Sequence, residues 1–170
     1  VSHWKLQEML EAIIELLLRS HPCGLRVLVG EIPAPSFEDL VMMIHQEGAL
    51  VSEVRVNGGR PTAEQESCFL RAEAIQEAVD RCGGWEALIG MARAYKEACP
   101  SSWKIFVDHI VWVESGGMSR LAGEGQLERI AEKHGVSIDT VKRRRHEVVE
   151  TIARAALLVP RGELQLLPSD

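Results

Sequence analysis

QLERIAEKHGVSIDTVKRRRHEVVETIARA, residues 126–155, is the stretch whose pattern decides the fold. Leu127, Ile130 and Ala131 form the apolar stripe of a short helix that should end at His134-Gly135. Glycine suits the left-handed backbone that closes such a helix. After Val136, Ser137 is a capping residue for a second helix. That helix begins Ile138-Asp139-Thr140-Val141 and runs through Lys142-Arg143-Arg144-Arg145-His146 into Val148, Val149, Ile152 and Ala153.

The spacing is that of a helix-turn-helix. Such a motif needs a small residue where two helices cross, a glycine four positions later, and an aliphatic residue six beyond that, facing inward. Ala131, Gly135 and Val141 fill these places, with Ile130 and Val136 as flanking apolar contacts. Ser137 leaves the second helix's N-terminus open to a phosphate or base edge. The outward face is expected to carry Ile138, Asp139, Lys142, Arg143 and His146, with Arg144 and Arg145 at its sides, within reach of phosphates. A helical hairpin with a glycine turn shows part of this pattern, and a K-R-R-R run alone is a solvated face. Here the two coincide, which favours contact with double-stranded DNA.

The charge distribution agrees. The chain has 170 residues and a net charge of −6, which taken alone argues against nucleic acid. Residues 126–161 nevertheless carry eight Lys/Arg against five Asp/Glu, while residues 1–125 carry eleven against eighteen. An acidic body with a basic C-terminal element suggests two tasks on one chain. Hydrophobic residues make up 46% and aromatics only 5%, so the core must be mainly Leu, Ile, Val and Ala, which favours helix on helix. No apolar run approaches the ~20 residues of a membrane span. No basic region followed by an apolar stretch and a cleavage site opens the sequence. The expectation is a cytoplasmic protein with no membrane contact. Cys23, Cys68, Cys82 and Cys99 show no C-x-x-C or zinc-finger spacing and read as small apolar residues.

Outward from the C-terminal stretch, the expected class is mainly α: a helical bundle with a C-terminal helix-turn-helix. Trp4 to Arg19 is amphipathic, with Leu6, Leu10, Ile13, Ile14, Leu17 and Leu18 on one face, to be covered within the chain or in a homodimer; Ser20-His21-Pro22 should end it. Leu25 to Ile32 reads as a short strand, and Val51 to Val56 as a strand or an irregular connector, allowing one β-hairpin in the N-terminal third. Ser36 can cap a helix reaching about Gln46, with Glu38 and Asp39 in its first turn. Thr62 and Gln65 form a capping box for a helix to Cys82; Gly83-Gly84 breaks it. Helices over Trp85 to Ala98 and from Ser101 or Ser102 to Val113 follow. The expected organisation is an N-terminal region 1–59 for dimerisation or partner binding, a helical body 60–115, a DNA-binding module 116–161 and a tail 162–170.

IAEKHGVSIDTVKRRRHEVVETIA, residues 130–153, resembles the helix-turn-helix of sigma-factor region 4 and of response-regulator C-terminal domains. With RPTAEQESCFLRAEAIQEAV upstream, the chain is similar in outline to phage-type late transcriptional regulators of the ArpU and RinA kind and to Q-type antiterminators. The resemblance implies that Thr140, Lys142, Arg143 and His146 face the major groove, that Arg144 and Arg145 take phosphates, and that RNA polymerase is a partner at a promoter.

Other signals are weaker. His21 and Cys23 have no third metal ligand nearby, and His109 sits among apolar residues like a core histidine. Gly123 and Gly125 lack the third glycine and the preceding strand of a nucleotide loop. Glu31, Glu38 and Asp39 look like helix-start charges, and no nucleophile–base signature is present. The sequence therefore reads as a non-enzymatic transcription regulator without cofactors. The alternative is a helical protein-binding adapter or anti-activator that does not touch DNA.

Overall fold

The computed structural model describes residues 3–48, 63–114 and 123–158. Among these residues there are eight helices and no strand: α1 (His3–Ser20), α2 (Gly24–Leu28), α3 (Phe37–Gly48), α4 (Ala63–Arg81), α5 (Trp85–Ala98), α6 (Pro100–Glu114), α7 (Gly123–His134) and α8 (Ile138–Leu158). The long helix α8 organises the packing. Val148, Val149, Ile152, Ala153, Ala156 and Leu157 place its C-terminal half in the main core, against α1, α5 and α6. Its N-terminal half packs on α7 through a smaller cluster of Ile105, Leu127, Ile130, Ala131 and Val141. The expected boundary near residue 116 therefore separates segments in sequence but not α8 from the body in space.

The apolar face of α1 is consumed inside the chain. Leu10, Ile13, Ile14, Leu17 and Leu18 are all buried, in contact with the main core. α3 lies against α4, and α1 touches both. Ser36 caps α3 reciprocally: the Asp39 amide donates to Ser36 Oγ at 3.1 Å and the Ser36 amide to Asp39 Oδ2 at 3.0 Å. The Ser36 amide bond to the carboxylate, with the Ser36 hydroxyl beside it, holds the Asp39 carboxyl below its ordinary range. The Thr62–Gln65 capping box and the Val51–Val56 segment lie outside the residues whose side chains are described.

The strand expected over Leu25 to Ile32 is instead the single helical turn α2 followed by a turn. Burial overrides β-propensity here: Val27 and Leu28 are buried and Leu25 and Val29 pack beside them, a set that one helical turn brings to the core side. Gly24 allows the approach, since a Cβ there would lie 2.1 Å from the Leu17 carbonyl oxygen. Gly30, at φ +76°, closes the turn; its amide donates to the Val27 carbonyl at 3.0 Å and the Glu31 amide to that of Arg26 at 2.9 Å. These are the paired bonds of a Schellman motif.

Candidate nucleic-acid interface

The same device closes α7. Gly135 has φ +67°, its amide donates to the Glu132 carbonyl at 3.2 Å, and the Val136 amide donates to that of Ala131 at 3.0 Å. Val136 then packs on the Ala131 cluster, the apolar contact that accompanies this motif. One residue on, Ser137 Oγ accepts the Thr140 amide at 3.1 Å and lies 2.9 Å from Thr140 Oγ1, capping α8. The turn and cap are thus built as the sequence predicts. Val141, fully buried, pins the first turn of α8 to α7.

The sequence-predicted residues divide into two groups. Ser137, Asp139, Lys142, Arg143 and His146 are exposed, and Thr140 is half-buried beside its cap. Positions 139, 142, 143 and 146 share one face by helical spacing. Ile138, expected outward, packs instead against the small cluster, because the helix start is apolar on the α7 side.

The two arginines expected to reach phosphates are drawn to the protein. Arg145 Nη2 and Nε donate to Glu15 Oε2 and Oε1 of α1 at 2.7 and 3.3 Å, with only 16% of the arginine side chain exposed. Arg144 Nη1 donates to Glu147 Oε2 at 2.7 Å on the flank facing α5 and α6. Arg143, 62% exposed, meets the other oxygen of Glu147 at 3.1 Å. One carboxylate therefore serves two arginines of the basic run.

A second ion cluster fixes α7 to α6. Asp108 Oδ2 lies 2.6 Å from His134 Nε2 and 3.0 Å from Lys133 Nζ. Burial alone would raise the Asp108 carboxyl, but the bonds from His134 and Lys133 outweigh it and hold the group below its usual range. On the α1 flank, burial and the nearby carboxylates Glu150 and Glu8 push the Glu11 carboxyl up, with His146 and Arg154 opposing. The basic face of α8 thus gives way to acidic surface beyond His146.

Sequence reasoning missed Glu15, Asp108 and Glu147 as partners of these cations. Glu147 was detectable, standing three and four residues after Arg144 and Arg143. Glu15 and Asp108 carry no local signal. His21 Nδ1 accepts the Cys23 amide at 3.0 Å, so this histidine serves its own turn. No group of three or more candidate metal ligands occurs among the described residues. No helix among them is long and apolar enough to cross a membrane.

Comparison with known protein families, curated proteins and solved structures returns no match.

Proposed function

We propose that the chain is a DNA-binding transcription regulator in which α7 and α8 act as a helix-turn-helix and the first turns of α8 enter the major groove. The observation that carries this reading is one arrangement: a glycine-closed turn at Gly135, a serine cap at Ser137, and Asp139, Lys142, Arg143 and His146 exposed on one face of the following helix. The cap leaves the remaining N-terminal amides of α8 available to a phosphate. Lys142, Arg143 and His146 supply base-edge donors, and Arg143 leaves Glu147 to Arg144 when it engages a base.

With most of the basic run held by carboxylates, one copy binds weakly. Affinity comes from tethering to RNA polymerase, the partner implied by the sigma-like resemblance, or from a second copy. The apolar face of α1 is already buried within the chain, so a homodimer uses other surface.

A second reading has its own support. Arg143, Arg144 and Arg145 all have carboxylate partners, which suits a helical adapter that binds protein and not DNA. Titrating binding to double-stranded DNA against salt decides between them. A linear fall of log affinity with log salt supports the regulator; absence of binding at low salt supports the adapter.

A further inference from the structure

A cavity lies beside the α7–α8 turn, on the flank of α8 that faces α5 and α6. It is a cleft of about 790 Å³ walled by the α5–α6 corner on one side and by α7 and α8 on the other. That volume is in the usual range of small-molecule sites, roughly 300–1,000 Å³. Its lining is cationic: Lys104 from α6, Lys133 from α7 and Arg144 from α8 converge on it, and Glu147 is the one carboxylate on its wall among the described residues.

Each cation has donor capacity left over. Glu147 engages Arg144 through Nη1, which leaves the buried Nε without an acceptor. A buried donor of that kind is expensive to leave unsatisfied. The partner of Lys133, Asp108, does not line the cleft. Lys104 is exposed and forms no ion pair among the described residues. Ser101 and Ser102, in the first turn of α6, bring that helix's positive end to the same space.

We propose that this cleft binds a small molecule through an anionic phosphate or carboxylate group, held by Lys104 and the solvent-facing part of the guanidinium of Arg144, whose side chain is 32% exposed. The guanidinium supplies planar geometry and the lysine a point charge. The site is independent of the DNA-binding reading.

The test uses the full chain without DNA. Pyrophosphate and citrate are titrated in turn, with binding followed by calorimetry and by backbone amide shifts. The expected result is saturable binding of at least one probe, with shifts at Ser101, Ser102, Lys104 and Arg144. Lys104→Ala should weaken it ~10-fold and Lys104→Arg should restore it. Pyrophosphate alone binding assigns a phosphate ligand, and citrate alone a carboxylate. The proposal is overturned if neither probe saturates by about 10 mM. It is equally overturned if Lys104→Ala changes nothing, or if the shifts are confined to Lys142, Arg143 and His146. Lys104 lies outside the proposed DNA face, so failure here leaves that reading standing.

Discussion

Arg145 of α8 grips Glu15 of α1 through two hydrogen bonds, joining residues 130 positions apart. Both side chains are largely withdrawn from water, at 16% and 22% exposure. Removing one partner leaves the other's charge poorly solvated. Glu15→Gln and Arg145→Ala should therefore each destabilise by about 1–3 kcal/mol, as judged by the urea midpoint. The double variant should lose clearly less than the sum, since both single changes break one interaction. Strict additivity would show that the pair contributes nothing as a pair.

Gly135→Val tests the turn. The backbone there has φ +67°, and a Cβ would meet nothing within 4 Å. The penalty is thus purely conformational and should be ~1–2 kcal/mol of thermal stability. Gly135→Asn should recover part of it, because asparagine tolerates the left-handed region. Unchanged melting in the valine variant would mean that the turn does not need this conformation.

The turn was legible in the sequence because its determinants are local: Ala131, Gly135, Val136 and Ser137 lie within seven consecutive residues and bond to residues no more than five positions away. So was the burial of α1, whose leucines and isoleucines recur at helical spacing. What failed depends on distant parts of the chain. Leu25 to Ile32 has strand-like composition, and only the approach of Gly24 to the Leu17 backbone and the burial of Val27 and Leu28 make it helical. Nothing near Arg145 in sequence announces Glu15. An arginine in a basic run looks solvated until the acid across the bundle is known.

The α1 face gives a stability prediction of a different kind. Leu17 is 1% exposed within the main core, so Leu17→Ala should remove about 2–5 kcal/mol through lost burial and a residual cavity. Because the face packs inside the chain, sedimentation of the variant under native conditions should match the parent at every concentration. A shift of oligomeric state with little loss of stability would instead make this face an intermolecular surface. Gly24→Ala offers an independent probe of the same region. Its methyl would meet backbone at Leu17, which cannot rotate away, so it should destabilise despite the better helix propensity of alanine.

His109 supplies the pH dependence. Burial foremost, then the charges of Arg145 and Lys142, push its pKa below the usual 6.5, with Glu15 opposing. The unfolded chain therefore takes up a proton at this residue more readily than the folded one. Stability is full above pH 6.5, declines as pH falls below that value, and levels once the folded pKa has been passed. His109→Gln should flatten this part of the profile in urea titrations across the range. An equal decline in parent and variant would assign the effect to other groups.

The Glu15 contact also changes which arginines should matter for DNA. Arg143, at 62% side-chain exposure, shares its face with Lys142 and His146, in the turns that enter a major groove in the proposed mode. Arg143→Ala should cost ~1–3 kcal/mol at a specific site and relax discrimination at one base position. Lys142→Ala should likewise weaken the selected duplex more than the scrambled one, since Lys142 shares the base-reading face. Arg145→Ala should leave the salt slope unchanged, because Glu15 already neutralises it, although its position in the basic run suggests a phosphate ligand. Glu147→Gln should strengthen binding to every duplex, since it removes the carboxylate that competes with DNA for Arg143. Fluorescence anisotropy on a selected and a scrambled duplex, at several salt concentrations, separates these cases. If Arg143→Ala and Arg145→Ala lower the salt slope alike, Arg145 leaves Glu15 on binding and the basic run acts as one undifferentiated surface. If Arg143→Ala weakens both duplexes equally, α8 does not read bases.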